Sequence, residues 1–381
     1  MTSDSVEIKK GLRDVYLDGT LLSFIDGRAG ELYYYGYNIH DIAENASFEE
    51  VAYLMLNGKL PTNSELTRFE DNLKTNRFLP ENIISVIESI SNSHPMDVLR
   101  TTISAMSESD SNLLDNSKDS VLKKSIRLIA AVPTIVATHS RIRENKKPVL
   151  PNAELSHAAN FLYMLTDEIP DKEDSDLIDK DLVLHCEHGL NASTFSARLT
   201  ASTNADFYAC ITSALATLKG PLHGGAAEAV MTMANEVGEP ENAEKYVENV
   251  INNGGRIMGF GHAIYRAIDP RSIHIRAEAE ALCNRRGNPK WFSILQAITE
   301  SKPMKSRSRH GLHPNVDFWA GVIYNLLGIP EDLYVPLFAV GRMPGWSAHI
   351  IEQHSQSQLI RPRLQYTGEL NIPFVKIEDR N

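Results

Sequence analysis

Cysteine is scarce in this 381-residue chain: Cys186, Cys210 and Cys283 are all it has. The number is odd and no two are spaced as CxxC, so they offer neither a disulfide framework nor a zinc site. Such sparse usage suits a reducing cytoplasm. Positive charge is also in deficit. Lys and Arg number 38 against 49 Asp and Glu, for a net charge of −11. That argues against a general nucleic-acid binder or a protein of anionic membrane surfaces. It leaves room for an anionic small molecule, because a few Arg can cluster inside an acidic protein. Long apolar runs are missing too. The longest, Leu128 to Thr138, contains Pro133 and is too short to span a bilayer. Met1 to Lys10 holds Asp4 and Glu7 and no apolar core, so no signal peptide is expected there. There is no internal repeat and no low-complexity tract.

Hydrophobic residues make up 42% and charged residues 23%, the profile of a soluble globular protein with two or three domains' worth of core. Within residues 1–40, Val15-Tyr16-Leu17 and Glu31 to Tyr35 have β-type composition between Gly- and Asp-containing turns. From about residue 41 the pattern turns helical. Ser47 with Glu50, and Thr62 with Glu65, are capping boxes, and Gly58 is a stop signal. Apolar spacings of three and four predict further helices at 82–92, 96–107, 119–139 and 152–166. They resume at 176–188, 192–217, 221–237, 241–253, 270–285, 289–300, 314–327 and 331–354, with a weaker candidate at 258–267. Residues 107–118 and the acidic stretch 167–175 read as loops. A short strand is expected near Arg363 to Tyr366. The fold class is therefore all-α, with small β-hairpins near the N-terminus and one short C-terminal strand.

Chemistry concentrates between residues 185 and 363. Gly220-Pro221-Leu222-His223-Gly224-Gly225 sets a histidine among glycines at a helix start, where free amides favour negative charge. The plain alternative is a tight turn with an incidental histidine. Gly259-Phe260-Gly261-His262 repeats the theme, followed by Arg266 and by Asp269-Pro270-Arg271. No strand precedes it, which excludes a dinucleotide-binding reading. Pro314-Asn315-Val316-Asp317 places a carboxylate among apolar neighbours, where its basicity would rise; as a plain alternative, Asn315 or Asp317 caps a helix. Arg342 lies in an apolar run and needs a carboxylate partner, from the protein or from a ligand. Arg361 and Arg363 follow, and for Arg363 an internal salt bridge is the simpler expectation. His185 and His188 lack a third metal ligand and there is no HExxH, so no metal is expected.

In order along the chain, these segments resemble the citrate synthase family. They are Glu187 to Phe195, Leu218 to Ala226, Met258 to His262, Asp269-Pro270-Arg271, Pro314 to Asp317, Leu337 to Arg342 and Leu359 to Arg363. The length and the Arg361-Pro362-Arg363 ending resemble the shorter bacterial and archaeal branch. The resemblance implies a two-domain helical enzyme. Residues 1–220 and 326–381 would form the large domain and 221–325 a small mobile one. It implies condensation of acetyl-CoA with oxaloacetate and hydrolysis of citryl-CoA, with acetyl-CoA as a substrate and no cofactor. Asp317 would be the base, His223 the donor to the thioester oxygen, and His262 the acid at the oxaloacetate carbonyl. His188, Arg271, Arg342 and Arg361 would hold oxaloacetate, with Arg361 supplied across a homodimer. Gly259, Arg266 and Arg309 would lie near CoA. Ala263 and Gly189 stand where relatives often carry Arg and Glu.

Elementary chemistry agrees with these roles. A thioester methyl is a weak carbon acid, so its proton leaves only while the new oxyanion is stabilised. A dicarboxylate calls for several Arg. Two other readings stay open. One is 2-methylcitrate synthase, which uses propionyl-CoA; the other is a non-catalytic CoA-binding regulatory protein.

Overall fold

The computed structural model describes residues 8–12, 14–356 and 358–380. After a short 3-10 turn at Lys10–Leu12 comes a three-stranded antiparallel sheet: β1 (Ser23–Asp26), β2 (Glu31–Tyr34) and β3 (Tyr37–Asn38), with Ser23 opposite Tyr34 and Asp26 opposite Glu31. The helices follow. The first ten are α1 (Ile39–Asn45), α2 (Phe48–Asn57), α3 (Asn63–Thr75), α4 (Glu81–Ser89), α5 (Pro95–Ala105), α6 (Lys118–Arg143), α7 (His157–Thr166), α8 (Lys172–His185), α9 (Ala192–Ser202) and α10 (Phe207–Leu218). The rest are α11 (Ala226–Val237), α12 (Ala243–Asn252), α13 (Pro270–Arg286), α14 (Lys290–Glu300), α15 (Lys302–Ser308), α16 (Asp317–Leu326) and α17 (Tyr334–Gln356).

Local chemistry accounts for the helix starts. Both capping boxes close: Glu50 N–H donates to Ser47 Oγ and Ser47 N–H to Glu50 Oε2, and Thr62 and Glu65 repeat the exchange. Each such cap stabilises its helix by about 1 kcal/mol. Gly58 ends α2 in the left-handed conformation. Asn191 caps α9 through its side chain, and Asp206 caps α10.

Packing follows from the apolar pattern. α17 is buried on all sides, with Leu337, Val340, Met343, Trp346 and Ile350 fully enclosed. It touches α2, α5, α6, α8, α9, α10 and α11, as a helix apolar all round must. α11 to α16 pack largely on one another, and join the rest where α11 meets α17 and where α13 meets α1 and α8. Short chain segments between these two sets carry the candidate residues.

Several local expectations change. The 192–217 stretch is two helices, because Thr203 to Ala205 turn through Asn204 at positive φ and Asp206 starts afresh. Residues 258–267 are not helical. Gly259 and Gly261 both take positive φ, and the segment pairs with residues 313–315 instead. α6 runs through Pro133 to Arg143, since losing one helical hydrogen bond is tolerated inside a well-packed core. Residues 302–308, between the helices expected at 289–300 and 314–327, form α15. Val15 to Leu17 is irregular, and so are Arg363 to Tyr366; the C-terminal strand is absent. A strand needs a partner edge, and residues 361–380 lie exposed, with no strand paired to them among the described residues. Arg363 shares that exposure and has no ion pair among the described residues, contrary to the internal bridge expected of it.

Candidate active site

Three chain segments meet where the candidate residues lie. The first is Cys186 to Asn191, between α8 and α9. Its backbone is held by Glu187, a fully buried carboxylate that accepts from Ser23 Oγ at 2.9 Å and from Gly189 N–H, and lies 3.0 Å from His349 Nε2. Tyr34 O–H donates to the Glu187 carbonyl at 2.8 Å. His188 follows, itself buried.

The second segment is the turn Lys219 to Gly225, between α10 and α11. Gly224 N–H donates to the Leu218 carbonyl at 3.0 Å, and a Cβ on Gly224 would stand 2.4 Å from that oxygen. Only glycine allows the approach. His223, on this turn, receives the Ser193 backbone N–H at its Nε2, 3.2 Å away. The Ser193 hydroxyl lies 2.8 Å from the same nitrogen and accepts from Trp346 Nε1–H at 3.2 Å. A backbone N–H can only donate, so Nε2 is the acceptor and Nδ1 carries the proton.

The third segment runs from Met258 to Asp269. It pairs with the chain before α16: Gly261 N–H donates to the His313 carbonyl, Asn315 N–H to the Gly259 carbonyl, both at 2.9 Å, and Asn315 Nδ2 to the Gly261 carbonyl at 3.1 Å. That pairing ties His262 to the start of α16, where Asp317 is the first residue. A Cβ at Gly259 would stand 2.8 Å from the Phe318 ring and 3.1 Å from its Cα. His262 Nδ1 accepts from the N–H of Ile264 at 3.0 Å and of Tyr265 at 3.3 Å. Its proton therefore sits on Nε2.

Electrostatics keep both imidazoles neutral. Burial, then the Arg342 charge, pushes His223 down to about 4. Burial, then Arg271, pushes His262 down to about 4. Burial lowers His188 further, helped by Arg271, His262 and Arg342. Asp317 moves the other way: burial raises it, although His185 and Arg271 pull down. A carboxyl so placed is a stronger base than one in water.

Two buried guanidinium groups complete the cluster. Arg271 is gripped by Asp269, with Nε and Nη2 donating at 3.0 and 2.7 Å, while its Nη1 has no partner among the described residues. Arg342 donates through Nε to the His185 carbonyl and stacks over Phe338 at 4.7 Å. Its terminal nitrogens have no hydrogen-bond partner among the described residues. Buried cations with unpaired donor edges are an anion site in waiting.

The other candidates lie differently. Arg361 and Arg309 are exposed. Arg266 turns back on its own loop, its Nη1 donating to the carbonyls of His262 at 3.1 Å and Tyr265 at 2.9 Å. Ser193 and Asp269 lie within the family-like segments but carried no expected role, and Tyr265 lies outside those segments; all three contact the candidate residues. Ser193 had a signal in its place two residues after the helix-capping Asn191. Among the described residues no group of three or more His, Cys, Asp or Glu could hold a metal ion, and no helix is long and apolar enough to cross a membrane.

Comparison with known proteins identifies the family. The family profile described as "Citrate synthase, C-terminal domain" matches residues 11–363. The citrate synthase of Haloferax volcanii is 44% identical over 99% of this chain and 100% of its own. The 2-methylcitrate synthase 2 of Corynebacterium glutamicum is 37% identical, over the whole of both. Among solved structures, the ternary complex of carboxymethyl coenzyme A and oxaloacetate with the citrate synthase of Thermoplasma acidophilum superposes with a TM-score of 0.93. It is 35% identical, covering 98% of this chain and 100% of that one. The chain belongs to the citrate synthase family.

Proposed function

We propose that this chain is an acyltransferase that joins acetyl-CoA to oxaloacetate and hydrolyses the resulting citryl-CoA. One observation carries the reading. Two neutral imidazoles, each with its tautomer fixed by backbone N–H groups, share a buried cluster with a raised carboxyl and two unpaired guanidinium edges.

The steps follow from those groups. The Asp317 carboxylate takes a methyl proton from acetyl-CoA. His223 Nδ1–H donates to the thioester oxygen as the enolate forms, so charge is met where it develops. The enolate carbon attacks the oxaloacetate ketone, and His262 Nε2–H supplies the proton to the ketone oxygen. Arg271, Arg342 and His188 hold the two carboxylates, and Arg361 reaches the site from the neighbouring copy of a homodimer. Gly259 and Arg309 lie on the CoA side, while Arg266 instead ties the loop carbonyls. Residues 221–325 act as a small domain that closes over the substrates, excluding water for condensation and admitting it for hydrolysis. A cytoplasmic setting fits the free cysteines.

The test is release of free CoA thiol, followed with acetyl-CoA and with propionyl-CoA, with and without oxaloacetate. The expected result is oxaloacetate-dependent release, faster with the acetyl thioester, and reduced about 10²- to 10⁴-fold in Asp317→Asn. No oxaloacetate dependence would end the proposal. Preference for propionyl-CoA would move the chain to the 2-methylcitrate reaction, a choice that rests on about one methylene of pocket.

A further inference from the structure

Tyr265 packs against two of the candidate site's imidazoles, which also touch each other. It is 2% exposed. Its ring centroid lies 4.8 Å from that of His262 and 5.4 Å from that of His188, and those two are 4.9 Å apart. Its backbone N–H reaches His262 Nδ1 at 3.3 Å, and its hydroxyl reaches His188 Nε2 at 3.1 Å. We propose that Tyr265 is a positioning residue that fixes the proton of His188 through its hydroxyl and, together with the nearer Ile264 N–H at 3.0 Å, that of His262 through its backbone.

The His262 half follows directly, because a backbone N–H leaves Nδ1 no role but acceptor. The His188 half needs an argument. The His188 ring is neutral and its Nε2 faces the hydroxyl, so either partner could donate. Burial raises the Tyr265 phenol, so it keeps its proton. That proton has no acceptor among the described residues except His188 Nε2. Were His188 the donor, a buried O–H would be left unpaired, an expensive arrangement. Donation from Tyr265 satisfies the hydroxyl and moves the His188 proton to Nδ1. His188 then offers one N–H, set by Tyr265, and His262 another, set by Tyr265 together with Ile264. That both donors serve oxaloacetate rests on the function proposed above.

The arrangement is braced from outside. The Gly27 carbonyl, in the β1–β2 turn, accepts the N–H of Arg266 at 2.7 Å and of Ala267 at 3.3 Å. The residues beside Tyr265 therefore cannot drift while the sheet stays in place. This separates Tyr265 from a tyrosine that merely fills space: a filler would need neither a hydroxyl on a ring nitrogen nor a fixed backbone.

Tyr265→Phe keeps the ring and removes only the hydroxyl. The readout is the ¹⁵N resonances of the imidazoles in substrate-free protein carrying ¹⁵N-histidine. Wild type should show His188 protonated at Nδ1. In Tyr265→Phe, His188 should move toward the Nε2–H form or a mixture, while His262 keeps its Nε2–H form. Unchanged His188 resonances, or an Nε2–H ring in wild type, overturn the proposal. If Tyr265→Phe does not fold, 3-fluorotyrosine in the wild-type sequence gives the same reading. A more acidic phenol shifts the His188 nitrogens if the bond exists and leaves them alone if it does not. Because no substrate is present, this result stands apart from the reaction assigned above. Kinetics then test the link: KM for oxaloacetate should rise about tenfold in Tyr265→Phe with kcat within about threefold. A moved tautomer with an unchanged KM would remove His188 from oxaloacetate binding and leave the role of Tyr265 intact.

Discussion

Alanine at Gly27 should damage catalysis far more than stability. Gly27 lies in the turn between β1 and β2, far in sequence from the candidate site. A Cβ there would stand 2.4 Å from the Ile264 carbonyl oxygen, 2.8 Å from its carbon and 2.9 Å from Ile264 Cγ2. Ordinary contacts between carbons begin at about 3.5 Å, so one backbone must retreat by roughly 1 Å. Two of the three clashing atoms are main chain and cannot rotate aside. The retreat strains the turn by about 1–3 kcal/mol and stretches the two hydrogen bonds from Arg266 and Ala267. For a chain of this size that is a loss of only several degrees in Tm. The displaced segment, however, holds His262 and Tyr265. A misplacement of about 1 Å at reacting groups costs about 10²-fold in rate. Gly27→Ala should therefore lose about 10²-fold in kcat by thiol release while melting only slightly early. Gly19→Ala is the control, since a Cβ there meets nothing within 4 Å. Wild-type kcat in Gly27→Ala would refute the claim that this turn sets the loop.

Two further outcomes follow from the described contacts. His157 packs on Phe48 at 4.8 Å, its Nε2 has no partner among the described residues, and burial followed by Arg77 pushes it down to about 3. Below about pH 6.5 the unfolded chain takes up this proton while the folded chain does not, so stability falls as pH drops from about 6.5 toward 3. At pH 4.5 that amounts to about 2–3 kcal/mol; His157→Phe should flatten the fall in Tm between pH 7.5 and 4.5, and an unchanged slope would mean the ring is charged in the fold. For the shared site, Asp317→Asn and Arg361→Ala should each be nearly inactive alone, and a refolded mixture should recover part of the wild-type turnover. No recovery would confine the site to one subunit.

What the sequence revealed, and what it hid, divides by the range of the interactions involved. The capping boxes at Ser47 and Thr62 and the stop at Gly58 appeared as read, because a cap is decided within four residues. The break at Thr203 to Ala205 did not, since apolar spacing runs through it and only Asn204 and Asp206 mark the turn. The 258–267 segment looked helical by period, yet its glycines take positive φ and its hydrogen bonds go to residues 313–315, some fifty residues away. His223, His262 and Asp317 stood out because histidine and carboxylate among glycine and apolar neighbours are chemically conspicuous. Ser193 and Tyr265 are ordinary residue types, and their roles exist only through partners on other segments. The C-terminal strand was read from composition, but composition cannot provide the edge on which a strand must pair.

Three glycines share one physical role. Gly27 against Ile264, Gly224 against Leu218 and Gly311 against Arg266 are each places where one backbone touches another, with 2.4–2.6 Å between the missing Cβ and a carbonyl oxygen. They let three loops from different helices close on one another until main-chain N–H groups arrive at imidazole nitrogens. An N–H cannot exchange the part of donor for that of acceptor, so the tautomers of His223 and His262 are properties of the fold. Both rings stay neutral near pH 7 because burial and two guanidinium groups oppose a second proton. In the proposed reaction Asp317 is then the group that takes the substrate's proton, and each imidazole keeps one N–H to give. A site assembled this way depends on loop packing to a fraction of an ångström. Substitutions at Gly27, Gly224 and Gly311 should accordingly behave as catalytic lesions, acting through the backbone that each one touches.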